Sequence, residues 1–448
     1  MFDARTFGVD LGSLGRRLEK VGTPVRSGKV TQVVGLVIEG YVPGARVGSL
    51  CEIDVGGDQP VAAEVVGFRE RTALMMPLGD IGGVQMGARI TPRQGLANIP
   101  VGSAMLGRVL DGLGQPLDGR PPPEGDREMP IYADPVNPLS RRIIEEPLYL
   151  GIRAIDCLIT CGRGQRVGIF AGSGVGKSVT MGMIARNATS DINVIALVGE
   201  RGREVLGFIE KDLGRAGLER SVVIAATSDT APLVRIRAAH LATTIAEYFR
   251  EQGKNVLLMM DSVTRFAMAQ REVGLAAGEP PTTRGYTPSV FALLPRLLER
   301  AGTCAGEGSI TGLYTVLVEA DDLNDPIGDA VRSIIDGHIV LSRNLASRNH
   351  YPAIDVLTSA SRVMIDVTSP DHRKAAGTLR ELMAAYRQAE DLINIGAYQK
   401  GANPTIDRAV AQIDAINGLL RQEQHEHVEP ERALEQMFGI VRAGGGAR

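Results

Sequence analysis

The chain of 448 residues contains no tryptophan, and aromatic residues make up only 4% of it. Its four cysteines are too few and too scattered for a disulfide framework, so buried free thiols are expected. The net charge of −3 does not indicate a globally basic nucleic-acid-binding protein. No apolar run approaches the length of a membrane-spanning helix, and residues 1–20 carry charges throughout, which predicts no signal peptide and a cytoplasmic location.

The strongest motif is FAGSGVGKS at Phe170–Ser178. An apolar run, Arg166–Phe170, precedes it, and helix-forming residues, Val179–Ala185, follow it. This order predicts a glycine-rich turn between a strand and a helix, where backbone N–H groups and the helix dipole favour an anion. The motif therefore predicts a phosphate-binding loop in which Lys177 reaches the β- and γ-phosphates and Ser178 holds Mg²⁺.

Ala171 replaces the first glycine of the strict phosphate-loop pattern, but the later glycines still allow the backbone to curl. A glycine-rich turn that binds nothing is the alternative. It would leave Lys177 buried without a partner, so we expect a nucleotide there. The predicted nucleotide contacts are Gly172, Ser173, Gly174, Val175, Gly176, Lys177, Ser178 and Val179.

Three zones of composition follow a terminal segment, 1–22, which contains a short amphipathic stretch. Residues 23–95 hold short alternating runs such as Gly28–Ile38, which predict a small antiparallel barrel or sandwich. Residues 96–364 include a Pro/Gly-rich connector, residues 111–138, after which strand and helix signals alternate. That alternation predicts a mostly parallel sheet covered on both faces by helices. Residues 365–448 are predicted to be helical.

The predicted strands of the central zone are Arg166–Phe170, Asn193–Val198, Ser221–Ala226, Asn255–Asp261, Leu313–Glu319 and His338–Leu341. Helices are predicted at Pro232–Gln252, Arg373–Ile393, Pro404–Gln422 and Pro430–Val441. Ligands of such sheets bind beyond the carboxyl ends of the strands, where the phosphate-binding loop is expected.

Two carboxylates stand at predicted strand ends. Asp261 ends an apolar strand, which is the form of a Walker B acid near Mg²⁺; the alternative is that it caps the next helix. Glu200 follows the second strand, where a carboxylate can orient and deprotonate water. Its alternative is a salt bridge to Arg201 or Arg203, and spacing alone leaves both interpretations open.

Gly199–Arg201, Tyr351–Asp355 and Ser359–Arg362 resemble signature segments of rotary-type ATPase subunits. Longer segments, including Asp261–Ala267 and Asp391–Tyr398, are similar to those of type III protein export ATPases, the flagellar version in particular. The resemblance covers roughly residues 25–441. It implies an α/β fold with a RecA-like P-loop ATPase core, an N-terminal small β-barrel and a C-terminal helical domain. It also implies an ATP-hydrolysing homohexamer that requires Mg²⁺.

The resemblance also assigns roles to single residues. Tyr351 matches an aromatic residue that packs on adenine, with an ordinary core tyrosine as the alternative. Arg362 matches an arginine finger that reaches the neighbouring subunit's nucleotide, with an intrachain ion pair as the alternative. The implied catalytic residues are Glu200, Lys177, Arg201 and Arg362, and the implied metal-binding residues are Ser178 and Asp261.

Partners follow from the same resemblance. Two segments, Gly278–Tyr286 and Asp321–Pro326, match loops that face a central pore, and the first would contact a central stalk-like protein. A negative regulator or stator-like protein is expected at the N-terminus, although residues 11–21 could equally dock on their own domain. Export chaperones and substrates would meet the helical C-terminal zone of a ring peripheral to the inner-membrane export gate. No nucleic acid is expected.

Four alternative functions compete with flagellar export. A virulence-type secretion ATPase fits the same motifs. The catalytic subunit of a rotary ATP synthase fits the core but not Asp391–Tyr398. A hexameric RNA-translocating terminator needs stacking aromatics, and residues 1–98 contain only four aromatic residues. A non-catalytic nucleotide-binding ring subunit would lack the carboxylate of Glu200.

Overall fold

The computed structural model describes residues 27–57, 59–93, 98–318 and 325–445. The chain divides into two compact units, residues 1–97 and 98–448. The predicted docking segment at residues 1–22 lies outside the described residues, as do residues 321–324 of the second predicted pore loop.

The first unit contains a closed six-stranded antiparallel barrel, in the order β1-β2-β5-β4-β3-β6. Its inward-facing side chains, among them Ile38, Val65, Met75 and Ile90, form a separate apolar core. The structure therefore has the barrel and not the sandwich. The strands are β1 (Gly28–Val34), β2 (Val37–Tyr41), β3 (Leu50–Ile53), β4 (Val61–Arg69), β5 (Thr72–Pro77) and β6 (Arg89–Pro92).

The run Gly28–Ile38, which the sequence presents as one alternating segment, is a hairpin. Val34 pairs with Val37 across a two-residue turn. Gly35 opens that turn with φ of +56°, a conformation that glycine adopts without strain. The alternating pattern does not predict the turn, because a single glycine inside such a run is too weak a signal to end a strand.

The second unit is built on a nine-stranded sheet with the order β19-β18-β12-β17-β15-β13-β14-β8, and β16 pairs with β17. The small sheets β7-β9 and β10-β11 flank it. The strands are β7 (Asn98–Val101), β8 (Arg108–Asp111), β9 (Arg127–Pro130), β10 (Pro147–Leu148), β11 (Cys161–Gly162), β12 (Arg166–Ala171), β13 (Ile192–Val198), β14 (Ser221–Ala226), β15 (Asn255–Asp261), β16 (Gly302–Thr303), β17 (Ser309–Leu317), β18 (Gly337–Leu341) and β19 (Ala360–Ser361).

The sheet is parallel except where β16 and β19 join it. Every residue of β13 and β14 is buried, as a strand covered on both faces by helices requires. The predicted mostly parallel sheet is therefore confirmed. The helices are α1 (Arg153–Leu158), α2 (Lys177–Asn187), α3 (Gly202–Gly207), α4 (Gly214–Glu219), α5 (Pro232–Glu251), α6 (Val263–Ala277), α7 (Pro288–Leu298), α8 (Pro326–Ile334), α9 (Arg343–Ser347), α10 (Met364–Val367), α11 (Pro370–Asn394), α12 (Pro404–Leu420) and α13 (Pro430–Gly445), with a π-helical stretch at Phe208–Leu213.

Two features of the connector differ from the sequence-based prediction. Residues 111–138, predicted to lack a regular element, contribute β9, and β8 before them adds an edge strand to the main sheet. The Arg108 Nε atom lies 2.7 Å from the Asp118 carboxylate, and this mostly buried ion pair ties the connector to that edge. Outside the connector, the strand predicted at Leu313–Glu319 is shifted towards the N-terminus: β17 begins at Ser309 and ends at Leu317.

The three C-terminal helices are confirmed, with α11 beginning three residues earlier than predicted, at Pro370. The Ser369 side chain accepts a hydrogen bond from the His372 N–H and so caps that helix. Buried residues of these helices, such as Leu379, Ile416 and Met437, share the apolar core of the sheet. Among the described residues, no helix has the length and hydropathy needed to cross a membrane.

Candidate active site

The loop between β12 and α2 has the geometry of a phosphate cradle. The strand ends at Ala171 and the helix begins at Lys177. Gly174 and Gly176 have φ of +78° and +92°, which only glycine adopts readily, and these values let the loop curl around an anion. Val175 is buried, whereas the other predicted nucleotide contacts of the loop line a cleft.

Lys177 lies between two carboxylates. Its Nζ atom is 2.5 Å from Asp261 Oδ1 and 3.5 Å from Glu200 Oε1. Burial alone would lower the pKa of Lys177, but the charges of Asp261 and Glu200 outweigh it and raise the pKa. Contrary to the prediction, Lys177 therefore has partners without phosphate, because Asp261 and Glu200 both contact it.

Asp261 ends β15 and is buried, with 3% of its surface exposed. Besides Lys177, it accepts a hydrogen bond of 2.6 Å from the Thr315 hydroxyl. The cap of the next helix is Ser262, whose hydroxyl accepts from the Arg265 N–H, so the capping alternative for Asp261 is wrong. Thr315 was not predicted, because nothing in its local sequence marks it.

Glu200 follows β13 and is mostly buried, with 14% of its side chain exposed. Burial raises the pKa of Glu200, the Asp261 charge raises it further, and Lys177 opposes both. The exposed Arg201 and Arg203 side chains lie 3.5 and 4.0 Å from Glu204 instead, so the salt-bridge alternative for Glu200 is wrong. A buried carboxylate with a raised pKa beside a phosphate cradle can serve as a proton acceptor.

A cleft of about 860 Å³ opens in front of the phosphate loop and Glu200. Five arginines line it: Arg201, which was predicted, and Arg265, Arg271, Arg284 and Arg343, which were not. This cationic lining suits a triphosphate, whose charge guanidinium groups neutralise well. Helical spacing gave no signal for Arg265 and Arg271, because residues six apart on α6 do not share one helix face.

A second cavity of about 450 Å³ adjoins the loop on the side of Tyr351. Val179, Met183 and Tyr351 supply apolar and aromatic surface, and Arg421–Gln424 close the opposite wall. Tyr351 is 43% exposed, so it is not an ordinary core tyrosine. An aromatic ring beside an apolar wall suits a flat heterocyclic base.

Arg362 is exposed and lies far from the cleft of its own chain. Its N–H donates to the Asp336 carbonyl, and the Asp336 N–H donates to the Arg166 carbonyl, which places Arg362 at the amino ends of β12 and β18. The phosphate loop follows the carboxyl end of β12, about 16 Å away along five residues of strand. Within the part of the chain that the structure describes, no ion pair holds the Arg362 guanidinium.

Family models match three parts of the chain. The ATP synthase alpha/beta family nucleotide-binding domain matches residues 151–361, and the beta-barrel domain of the same family matches residues 30–93. The T3SS EscN ATPase C-terminal domain matches residues 368–438.

Similar proteins include a flagellum-specific ATP synthase of Bacillus subtilis (strain 168), 52% identical over 95% of this chain and 97% of the relative. A type 3 secretion system ATPase of Xanthomonas euvesicatoria is 51% identical over 96% of this chain and 97% of the relative. Among solved structures, the assembled ATPase EscN of the enteropathogenic E. coli type III secretion system superposes with a TM-score of 0.88. It is 48% identical and covers 92% of this chain and 100% of its own. EscN in complex with its central stalk EscO gives a TM-score of 0.86 at 47% identity, covering 92% of this chain and 100% of its own.

Proposed function

Because this chain belongs to the ATP synthase alpha/beta family, among its type III secretion and flagellar ATPases, we propose that it hydrolyses Mg-ATP to drive protein export through a flagellar type III apparatus. The observation that carries this proposal is the cluster of Lys177, Asp261 and Glu200 beside a phosphate cradle. A cation held by two acids at that position is well placed for a nucleotide's γ-phosphate.

The donor set fits a magnesium ion. The Ser178 hydroxyl, in the first turn of α2, and the Asp261 carboxylate, at the end of β15, are hard oxygen ligands. When bound there, Mg²⁺ would neutralise charge on the β- and γ-phosphates. Ser178 and Asp261 would hold the ion, and the Lys177 ammonium would bind phosphate oxygens.

Glu200 is the proposed general base. It orients a water molecule towards the γ-phosphate and accepts its proton, for which the raised pKa suits a carboxylate. Arg201, at the mouth of the cleft, adds positive charge. Tyr351 would stack on adenine in the adjoining cavity.

Assembly into a homohexameric ring would complete the site. The relative EscN assembles, and one of its structures includes its central stalk EscO. The position of Arg362, about 16 Å from its own phosphate loop, supports a role in the neighbouring subunit's cleft. We extend the proposal to a stalk-like protein in the pore, a regulator at residues 1–22, and export chaperones and substrates at residues 365–448. The ring would lie peripheral to the inner-membrane export gate.

The domain division that accompanies this proposal is 23–95 for the barrel, 96–364 for the ATPase core and 365–448 for the helical domain.

A virulence-type secretion ATPase is the second candidate, since a type 3 secretion system relative is 51% identical. Deleting the gene and scoring filament assembly separates the two: loss of filaments supports the flagellar role, and intact filaments contradict it.

The direct test measures Mg-dependent phosphate release by the purified chain and its variants. Glu200→Gln should keep nucleotide affinity and lose about 10²–10⁴-fold in turnover, because the base contributes about that much. Glu210→Gln, an exposed acid nearby, is the matched control and should behave like the parent. Parental turnover by Glu200→Gln would overturn the assignment.

A further inference from the structure

One buried hydroxyl group contacts the active-site cluster from inside the sheet. The Thr315 hydroxyl donates a hydrogen bond of 2.6 Å to Oδ1 of Asp261, and Thr315 has no exposed surface. Burying a hydroxyl without a partner is unfavourable, so a threonine inside a covered strand needs an acceptor. Its acceptor here is the carboxylate for which we propose a role in magnesium binding, so this hydrogen bond bears on the reaction.

The strand β17 places Thr315 beside Asp261. This strand lies between β12, which leads into the phosphate loop, and β15, which ends at Asp261. Tyr314 pairs with Met260 of β15, so the next residue of each strand, Thr315 and Asp261, are neighbours as well. Adjacent strands lie about 4.8 Å apart, a distance that a short side chain such as threonine can bridge with one hydrogen bond.

Hydrogen bonds on both sides fix the end of β17. The Val318 N–H donates to the Ala171 carbonyl at 3.0 Å, at the point where β12 ends. The Leu317 N–H donates to the Thr264 hydroxyl at 2.9 Å, in the first turn of α6. Threonine is branched at Cβ, which restricts its χ1 angle. The position of the Thr315 hydroxyl is therefore set by the sheet.

The two oxygens of the Asp261 carboxylate differ in their contacts. Oδ1 accepts the hydrogen bond from Thr315 and also lies 2.5 Å from Nζ of Lys177. In the portion of the chain that the structure describes, no protein donor is hydrogen-bonded to Oδ2. The protein therefore engages one oxygen and leaves the other for an ion or for a water molecule of its shell.

An ordered carboxylate suits magnesium in particular, because Mg²⁺ demands near-ideal octahedral geometry. Groups that hydrogen-bond to a ligating carboxylate orient it, and their removal typically costs about 10–100-fold in metal affinity or activity. Thr315 is completely buried, so it acts on the site only through Asp261.

We propose that Thr315 is a positioning residue for the magnesium site, where its hydroxyl holds Oδ1 of Asp261 and keeps Oδ2 available to the ion or its water shell. The inference rests on the proposed ATPase function. Lys177 contacts the same oxygen, but its flexible ammonium also has to bind phosphate. Thr315 can hold the carboxylate whether or not Lys177 contacts it, because the strand fixes its position.

The test compares the parent with Thr315→Val, which keeps the shape of the side chain and removes the donor. Binding of a fluorescent ATP analogue is measured in excess EDTA and as a function of added Mg²⁺. Thr315→Val should bind the analogue like the parent in EDTA, because the phosphate loop is unchanged. It should need about 10–100-fold more Mg²⁺ for the half-maximal metal-dependent change, and ATP turnover should show the same shift.

Two further variants separate the lost donor from a change of packing. Thr315→Ser keeps the hydroxyl and should retain the parental Mg²⁺ requirement. Thr315→Ala lacks the donor and should show the same shift as Thr315→Val, which keeps the inference testable if the valine variant does not fold.

Thr311→Val is the matched control. Thr311 lies on the same strand about 13 Å from Thr315, is also buried, and accepts a hydrogen bond of 2.8 Å from the Gly164 N–H. Its variant should lose stability without a change in Mg²⁺ requirement. A parental Mg²⁺ requirement in Thr315→Val and Thr315→Ala, or an equal shift in Thr311→Val, would overturn the inference and leave the ATPase assignment intact. A parent without ATP turnover would contradict the proposed function, while the binding titration would still test Thr315.

Discussion

At the residue scale, the central feature is one lysine held by two acids. Glu200 and Asp261 share Lys177, so each acid sees the charge of the other. Burial and the Asp261 charge act together to raise the pKa of Glu200. The same cluster that holds Lys177 in place therefore prepares Glu200 to accept a proton.

This arrangement predicts the acid limb of the pH–rate profile. As the proposed base, Glu200 must be ionised to accept a proton, and its raised pKa means that kcat/KM should begin to fall at a higher pH than for an ordinary glutamate. The measurement is kcat/KM against pH for the parent. The residual activity of Glu200→Gln should show no such limb. An acid limb that persists unchanged in Glu200→Gln would assign it to another group.

Asp156 gives a second pH-dependent prediction, for stability. Its fully buried carboxylate accepts the N–H groups of Leu150, at 2.7 Å, and Gly151, at 2.9 Å, and burial raises its pKa to about 7. Because the folded pKa exceeds the unfolded one, its stabilising contribution is complete below the unfolded pKa. That contribution is lost as pH rises through about 7.

Asp156→Asn should therefore destabilise the protein more at pH 5 than at pH 8, by a difference on the order of 1–3 kcal/mol. The measurement is the denaturant midpoint at both pH values. Asp414→Asn, at an exposed position, is the control and should show no such difference. Equal destabilisation by Asp156→Asn at both pH values would mean that the carboxylate does not titrate in the folded state.

At the element scale, the segment between α12 and α13 forms a wall of the cavity beside Tyr351. The Gln422 N–H donates to the Tyr351 carbonyl at 2.9 Å. Arg153, near the start of α1, donates to the Leu419 carbonyl at 2.8 Å, to the Arg421 carbonyl and to the Glu426 carboxylate. One buried arginine thus positions the wall without facing the cavity.

Arg153→Lys should loosen that wall, because lysine cannot make the same set of directed hydrogen bonds. We expect KM for ATP to rise about 10-fold with kcat nearly unchanged, since the wall binds the nucleotide equally in the ground state and the transition state. Arg408→Lys, exposed on α12, is the control. A fall in kcat at constant KM would show that Arg153 acts on the reacting groups instead.

The sequence predicted the elements around the loop well, because buried parallel strands are continuous apolar runs. Ser221–Ala226 and Asn255–Asp261 were located to the residue. It did not predict β8 or β9, since strands of four residues in a Pro/Gly-rich region carry too little pattern. Nor could it show that residues 421–424 meet Tyr351, because only folding brings segments about 70 residues apart together.

At the scale of the whole molecule, one chain holds the proposed parts of the active site at two separate places. The phosphate loop, Asp261 and Glu200 lie at the carboxyl ends of the strands, and Arg362 lies at the amino ends. A site assembled from two chains couples hydrolysis to assembly, so activity per subunit should rise with protein concentration. From the sequence, the separation of Arg362 from the phosphate loop could be inferred only through the family resemblance. The direction of the strands in the folded sheet is what places Arg362 at the amino ends.

Mixing two inactive variants tests this division directly. Lys177→Ala chains keep Arg362 but cannot hydrolyse ATP, and Arg362→Ala chains keep the phosphate loop but lack the finger. In rings of equal mixture, about one contact in four joins an intact loop to an intact finger, so about a quarter of parental turnover should return. The measurement is turnover of each variant alone and of the mixture at constant total protein. The double variant Lys177→Ala/Arg362→Ala mixed with Arg362→Ala is the control and should stay inactive. Failure of the first mixture to exceed its components, with assembly intact, would mean that Arg362 does not act across the subunit contact.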